Sequence, residues 1–155
     1  MVATQETQQV QARDEAAVST MVFHLGRELR TALDRRFESH GITSQQAALL
    51  LLSRLLKEPS PIKMAARLGT DAAGMTRLLY RLERKQLIAR RVSPDDRRLV
   101  VIELGPRSRH VLPRLIPEFQ WAEKGLLDGF KKSEVDQLNK MLRRLMQNAR
   151  KLNES

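Results

Sequence analysis

Basic side chains are the residues with the clearest chemical potential in this sequence. They recur at helical spacing and again beside two aspartates in the stretch SPDDRRLVVIEL, as Arg77, Arg81, Arg84, Arg97 and Arg98. A guanidinium group matches the geometry of phosphate oxygens and of guanine edges. The pattern therefore indicates binding of a polyanion, with nucleic acid as the favoured partner. A basic surface that only keeps the protein in solution is the alternative.

Residues that could carry catalysis or hold a metal ion are sparse. The three histidines, His24, His40 and His110, lie far apart without metal-ligand spacing, and the sequence contains no cysteine. It also lacks a nucleophile elbow, a phosphate-binding loop and a dinucleotide fingerprint. We therefore expect neither an enzyme nor a protein with a bound metal or cofactor.

The composition favours helices and a cytoplasmic location. Leu, Ala, Arg and Glu are abundant among the 155 residues, whereas aromatic residues make up 4%. No apolar stretch approaches the roughly 20 residues that span a bilayer, and the N-terminal stretch MVATQETQQVQARDE lacks a signal-peptide core. The formal net charge is +10, and the basic excess lies after residue 60. We expect a mainly α, cytoplasmic and nucleoid-associated protein without a membrane partner.

Apolar spacing organises the N-terminal third of the chain. Residues 1–13 are polar and are predicted to form a flexible tail. Over residues 14–39 apolar side chains recur every three or four residues, which predicts an amphipathic helix. Thr43 and Gln46 have the spacing of a capping box that opens a second, largely buried helix.

Two further helices are predicted around a glycine turn. Ser60 can cap a third helix with Pro61 at its first position. Leu68-Gly69-Thr70 forms a tight turn, and Asp71 can cap a fourth helix that runs to about residue 85. A short helix, a glycine turn and a longer polar helix are typical of a helix-turn-helix.

The segment after the fourth helix predicts a β-hairpin. The β-prone runs IARRVS and RLVVIEL flank Pro94-Asp95-Asp96, whose residue types form turns. The hairpin is expected to pack on the helices and to project its tip outward. Residues 43–104 are therefore predicted to be a winged helix-turn-helix DNA-binding domain.

The outer face of the fourth helix and the hairpin tip form the predicted DNA-binding site. Small residues at the start of the helix let its backbone approach a major groove, where Thr76 and Arg77 reach base edges or phosphates. Arg97 and Arg98 are placed for the neighbouring minor groove. Asp96 is repelled by phosphates, so we expect it to orient an arginine through a charge-assisted hydrogen bond. The predicted contact residues are Ser60, Lys63, Ala72, Ala73, Gly74, Thr76, Arg77, Arg81, Arg84, Arg97 and Arg98.

Residues 105–152 are predicted to form the C-terminal helices. Pro113 and Pro117 each remove a backbone donor, which predicts a kink or break between residues 109 and 117. From Ser133 to Leu152 an apolar stripe at helical spacing predicts a last helix that faces a large surface.

Two stretches, LGTDAAGMTRLLYRLERKQLIARR and SPDDRRLVVIEL, resemble the MarR family of bacterial winged-helix transcription regulators. The likeness spans roughly residues 14–152, and its most specific motifs are Thr76-Arg77-Leu78 and the wing pattern of Asp96, Arg98 and Leu104. The family usually has glycine where this chain has Gln86, which must either adopt a left-handed conformation or end the helix differently.

The resemblance implies a homodimer that binds a pseudo-palindromic operator in double-stranded DNA. The helix at 14–39 and the helices of residues 105–152 would interdigitate as a dimerisation domain. The resemblance also implies release of DNA by a small aromatic or phenolic anion. The predicted function is accordingly a sequence-specific transcriptional repressor. The alternative is a basic structural protein that binds nucleic acid without sequence preference.

A pocket for such an effector is predicted from residues that combine cationic, sulfur and aromatic groups. Arg27 or His24 would meet a carboxylate, and the apolar surfaces would meet a ring. The predicted set is Met21, His24, Arg27, His110 and Trp121. Ordinary packing in a core or an interface is the competing explanation for each of these residues.

Overall fold

The computed structural model describes residues 2–152 of the chain, with side chains described from residue 17 onward. This range contains six helices and two strands: α1 (Val2–Glu38), α2 (Ser44–Leu55), α3 (Pro61–Leu68), α4 (Ala72–Arg84), β1 (Ile88–Val92), β2 (Val100–Leu104), α5 (Ser108–Leu126) and α6 (Lys132–Leu152). The chain divides into two compact units, Met1–Phe119 and Gln120–Ser155. The predicted class, mainly α with a small hairpin wing, is confirmed.

The first helix is longer than the sequence predicts. Its backbone is helical from Val2, whereas we expected a helix from residue 14 after a tail at residues 1–13. The reason is local, because the stretch before residue 14 contains neither glycine nor proline and is rich in Ala and Gln. Met1 and the side chains of residues 2–16 lie outside the described residues, so the flexibility of the tail stays a prediction.

The starts of α2, α3 and α4 follow the predicted capping residues. The Gln46 backbone N–H donates to Thr43 Oγ1 at 3.3 Å and the Thr43 N–H donates to Gln46 Oε1 at 3.2 Å, which completes the capping box. Ser60 and Asp71 cap α3 and α4 through their side-chain oxygens. Gly69, in the left-handed region at φ 61°, ends α3.

The end of α4 is a Schellman motif with glutamine at its left-handed position. Gln86 has φ 59°, so the structure takes the first of the two outcomes expected for the missing glycine. The Gln86 N–H donates to the Glu83 carbonyl at 2.8 Å, and the Leu87 N–H donates to the Leu82 carbonyl at 3.0 Å. Leu82 and Leu87 are both buried, which supplies the apolar contact typical of this motif.

The hairpin is anchored at its base and exposed at its tip. β1 and β2 pair antiparallel, with Arg90 opposite Ile102. Ile88 and Ile102 are buried, and the Ile102 N–H donates to the Pro59 carbonyl at 2.7 Å rather than to β1. Residues 94–99 are exposed throughout. The winged-helix core therefore holds the hairpin by one end.

A close backbone crossing joins the end of α4 to the segment before α5. The Gly105 N–H donates to the Leu87 carbonyl at 2.9 Å, and the Arg107 N–H donates to the Gln86 carbonyl at 3.2 Å. A Cβ at residue 105 would overlap the Gln86 carbonyl group. Glycine is therefore required at residue 105 by the proximity of another backbone segment.

The fifth helix passes through both prolines without a break. Ser108–Leu126 is one helix that contains Pro113 and Pro117. Of the kink or break expected between residues 109 and 117, the break is therefore absent, and the kink stays a prediction. The two prolines are one turn apart and both exposed. The backbone carbonyls that lose an intrahelical donor can therefore be hydrated, which lowers the cost of each proline.

The apolar stripes of α1 and α6 are only partly covered within the single chain. In α1, Leu33 and Phe37 are buried, whereas Val18, Met21 and Leu25 are about half exposed or more. No described side chain of α6 is buried, although this helix carries the predicted apolar stripe. Both helices thus retain apolar surface that the single chain leaves in contact with solvent.

Candidate nucleic-acid interface

The fourth helix separates an apolar side from a basic side. Met75, Leu79 and Leu82 are buried in the core. Most α4 residues predicted to contact DNA lie together on the exposed side, namely Ala72, Ala73, Thr76, Arg77, Arg81 and Arg84. Tyr80 lies on this side as well, and Arg84 stacks over its ring with 5.9 Å between Cζ and the ring centroid.

The first turn of α4 is compact for an intramolecular reason. The Gly74 N–H donates to Asp71 Oδ1 at 2.5 Å. A Cβ on Gly74 would lie 2.5 Å from Thr70 Oγ1 and 2.8 Å from Asp71 Oδ1. We predicted from the sequence that Gly74 lets the backbone of the helix approach DNA closely. The absence of a side chain at Gly74 also makes room for the cap of the helix.

Two polar residues on α4 are oriented toward this first turn. Arg77 Nη2 lies 3.9 Å from the position that a Cβ on Gly74 would occupy, so the guanidinium extends toward the start of the helix. The Thr76 hydroxyl donates to the Ala72 carbonyl at 2.8 Å. The Thr76 oxygen therefore offers DNA an acceptor, and Arg77 offers donors.

The predicted contacts of α3 are already engaged within the chain. Ser60 Oγ accepts a hydrogen bond from the Lys63 N–H at 3.3 Å, while its hydroxyl hydrogen stays available. Lys63 Nζ donates to the Glu58 carbonyl at 3.3 Å and lies 3.8 Å from the Glu58 carboxylate. Lys63 is exposed, so this weak surface pair can be exchanged for a phosphate.

The wing tip is shaped by side chains that fold back on the backbone. Asp96 Oδ1 accepts a hydrogen bond from the Arg98 backbone N–H at 2.9 Å, and the Asp96 carbonyl accepts one from the Leu99 N–H at 2.9 Å. The buried Ser93 donates its N–H to the Leu99 carbonyl at 2.8 Å and closes the loop. The tip is therefore a defined turn.

The structure shows which group of the arginine Asp96 binds. The hydrogen bond that we expected between Asp96 and an arginine is made with the backbone N–H of Arg98, and the described ion pairs do not include Asp96. The reason is distance along the chain, since an aspartate two residues before a backbone N–H forms an Asx turn. The guanidinium groups of Arg97 and Arg98 have no partner among the described residues.

The arginines at the base of the wing have a different environment. Arg91 Nε lies 2.7 Å from the Glu103 carboxylate across the hairpin. Arg90 Nη2 donates to Glu83 Oε2 at 2.5 Å, and this hydrogen bond raises the pKa of Arg90. These two arginines brace the hairpin, whereas Arg97 and Arg98 at the tip are left for a ligand.

The predicted effector residues are distributed over α1 and α5 and over both compact units. Met21, His24 and Arg27 are exposed on α1, and Arg27 pairs with Glu28 at 3.0 Å. His110 lines a cleft of about 310 Å³ with His40, Arg107 and Arg114. Trp121 is exposed and belongs to the unit Gln120–Ser155. The pocket proposed from sequence takes residues from both units and stays a prediction.

A larger cleft is lined by residues that sequence reasoning did not select as a pocket. Its volume is about 1130 Å³, and it lies between the second half of α1, the start of α2 and the basic side of α4. Cationic side chains outnumber carboxylates in its lining, and Tyr80 adds a ring. The cations are Arg35, Arg77, Arg81, Arg84 and Lys85, and the carboxylates are Asp34 and Glu38. The spacing of Arg77, Tyr80 and Arg84 along one helix is the signal that could have indicated it.

A separate ionic cluster fixes the middle of α5 to the end of α1. Arg36 Nε lies 2.6 Å from Glu118 Oε2, and His40 Nε2 lies 3.4 Å from Glu118 Oε1. The hydrogen bond from Arg36, followed by that from His40, lowers the pKa of Glu118. Phe37 packs on Phe119 with ring centroids 5.0 Å apart, so the contact is both ionic and aromatic.

The arrangement defines a class of protein. An exposed basic helix follows a glycine turn, and an adjacent hairpin carries unpaired arginines, which is the layout of a winged-helix DNA-binding protein. The described residues contain no group of three or more His, Asp or Glu that could hold a metal ion. Over the same part of the chain, no helix has the length and apolar content needed to cross a bilayer.

Comparisons with known proteins agree with this class. Residues 42–100 match the model of the MarR family. The chain is 25% identical over 134 residues to the transcriptional repressor MprA of Escherichia coli K12, a match that covers 85% of this chain and 76% of MprA.

Solved structures share the fold over most of the chain. A MarR/EmrR family transcriptional regulator from Acinetobacter sp. ADP1 superposes with a TM-score of 0.82 at 22% identity, covering 88% of this chain and 97% of that one. The MepR–DNA complex of S. aureus gives a TM-score of 0.77 at 23% identity, covering 84% and 96%. The winged-helix segment, residues 42–100, therefore matches the MarR family, as the resemblance predicted.

Proposed function

We propose that the protein is a sequence-specific DNA-binding regulator that represses transcription by occupying its operator. The observation that carries this proposal is that α4 and the wing each present an exposed arginine, Arg77 and Arg98. Both are exposed, and neither forms an ion pair among the described residues. Unpaired guanidinium groups on two adjacent reading elements are suited to phosphates and base edges.

The two elements are assigned to different grooves. α4 enters a major groove by its N-terminal half, where Arg77 and the Thr76 acceptor lie. The wing reaches the neighbouring minor groove, where Arg97 and Arg98 meet the strong negative potential. MepR, solved as a complex with DNA, has the same fold.

The functional species is proposed to be a homodimer on a pseudo-palindromic operator. The apolar side chains of α1 and of α6 are exposed to solvent in the single chain, and contact with a second copy of the chain would bury them. A two-fold axis then places two α4 helices and two wings on one duplex, with half-sites about one DNA turn apart. The proposal gives the protein a non-catalytic role in the cytoplasm, on nucleoid DNA.

A small aromatic or phenolic anion is proposed as the effector, and the large cleft as its site. Tyr80 can stack on a ring, while Arg35, Arg81 and Arg84 can pair with a carboxylate. Arg77 lines the same cleft, so an acid bound there competes with DNA for this side chain. This assignment is an alternative to the pocket predicted from Met21, His24, Arg27, His110 and Trp121.

The DNA part of the proposal is tested by comparing an operator with random duplex. The operator is first obtained by selection from a random pool, and both affinities are then measured across a salt series. We expect a preference of roughly 10³ or more at physiological salt. Nearly equal affinities with a steep salt slope would favour the alternative, a structural protein without sequence preference.

The effector part is tested with 4-hydroxybenzoate, using cyclohexanecarboxylate as the control that keeps the carboxylate but has a saturated ring in place of the aromatic one. The aromatic acid should raise the melting temperature and release operator DNA. Arg35→Ala should abolish both responses and leave DNA affinity unchanged, because Arg35 lines the cleft on α1 and is not a predicted DNA contact. An unaltered response in this variant would place the effector elsewhere.

A further inference from the structure

The C-terminal end of α4 is fixed by a lysine that no feature of the sequence singled out. Lys85 Nζ donates to the Gly41 carbonyl at 2.6 Å and to Gln46 Oε1 at 3.1 Å. Gly41 lies just beyond the end of α1, in the left-handed region at φ 67°. Gln46 is the capping-box residue of α2 and is buried. One ammonium group therefore bridges the end of α4 to the corner between α1 and α2.

The Lys85 bridge restrains the orientation of α4, which its apolar contacts do not. Met75, Leu79 and Leu82 bury the helix, but apolar burial is non-directional and tolerates small rotations. Hydrogen bonds depend on distance and angle. The acceptor Gln46 Oε1 is itself held by the Thr43 N–H at 3.2 Å, so the ammonium meets a fixed partner.

The bridge lies at the C-terminal end of α4, so a small rotation about it moves the N-terminal end, which is proposed to enter the major groove. α4 has 13 residues, and at a rise of 1.5 Å per residue its ends are about 20 Å apart. A rotation of about 5° around the Lys85 end would move the first turn by roughly 2 Å, which is enough to break a base contact. The Arg77 guanidinium, near Gly74, lies at the end that would move.

We propose that Lys85 is a positioning residue that sets the angle at which α4 enters DNA, and so controls operator discrimination. The inference rests on the proposed function. It differs from a phosphate contact, because Lys85 acts on sequence-specific binding through Gly41 and Gln46 rather than through the DNA backbone. It also differs from a purely structural cap, because the effect concerns discrimination at temperatures where the protein is fully folded.

The test compares Lys85→Met with Lys131→Met in the full chain. Both changes remove one positive charge, but Lys131 is an exposed loop residue whose ammonium has no partner among the described residues. The affinities of each variant for the selected operator and for random duplex are measured over a salt series. Circular dichroism confirms that each variant is folded at the assay temperature.

For Lys85→Met we expect operator affinity to fall roughly tenfold or more, comparable with one mismatched base pair. Affinity for random duplex and the slope of log K against log salt should match those of Lys131→Met. Lys85→Arg should recover part of the discrimination. In a double-mutant cycle, Gln46→Met and Lys85→Met should be non-additive for operator affinity, since they break the same bridge.

Three results would overturn the inference. An equal loss on both duplexes, with a salt slope smaller by about 0.9, would make Lys85 a phosphate contact. An unchanged ratio of operator affinity to random-duplex affinity in folded Lys85→Met would show that Lys85 does not position α4. Additive effects of Gln46→Met and Lys85→Met on operator affinity would show that Lys85 does not act through its hydrogen bond to Gln46. If the unaltered protein itself shows no operator preference, the proposed function fails instead, and the two failures are thereby distinguished.

Discussion

Replacing Gln86 by glycine should stabilise the protein. Gln86 holds φ 59° in the Schellman motif that ends α4. A residue with a β-carbon pays roughly 1–2 kcal/mol in the left-handed region. Glycine removes that strain but loses about 0.4–1 kcal/mol through the greater entropy of its unfolded chain. The net expectation is a gain of about 0.5–1 kcal/mol in the free energy of unfolding.

The gain is measured by thermal and urea unfolding at one fixed protein concentration, because the proposed dimerisation would make the melting temperature depend on concentration. For a chain of this size about 1–4 °C is expected. Gln86→Ala is the matched control, since it removes the polar side chain and keeps the β-carbon. A gain from alanine as large as that from glycine, or no gain from glycine, would refute strain at this residue.

Three other changes test the wing, the backbone crossing and the ionic cluster. Arg98→Ala should weaken operator binding by about 1–3 kcal/mol without altering the melting temperature or the dimer, and an unchanged operator affinity would contradict the wing assignment. Gly105→Ala should lower the free energy of unfolding by about 1–3 kcal/mol, because its methyl group meets the Gln86 carbonyl; unaltered urea unfolding would show that the crossing can relax. Glu118 has a lowered pKa in the folded protein, so its contribution to stability is complete above the unfolded value of about 4.3 and is lost as pH falls toward the folded value. The difference in melting temperature between the unaltered protein and Glu118→Gln should therefore be largest near pH 7 and shrink below pH of about 4, whereas a difference that is constant with pH would exclude the ionic origin.

Local features of the fold were predictable because each depends on a few neighbouring residues. Thr43 with Gln46, Ser60 with Pro61, and Asp71 mark helix starts through hydrogen bonds that span only three residues. The exposed arginines of α4 follow in the same way from the helical period. Of the kink or break expected near Pro113 and Pro117, the break is absent, because the cost of a proline depends on whether water reaches the freed carbonyls.

The sequence by itself determined the winged-helix class, the basic side of α4 and the charged tip of the hairpin, since periodicity, capping and turn chemistry act over short distances along the chain. Only the tertiary structure decided that Gly105 must accommodate Gln86 and that Lys85 meets Gly41 and Gln46. The Gly105 contact joins residues about 20 positions apart and the Lys85 contacts join residues about 40 positions apart, and packing alone brings such residues together. No local pattern of residue types encodes the partner of a lysine at that separation.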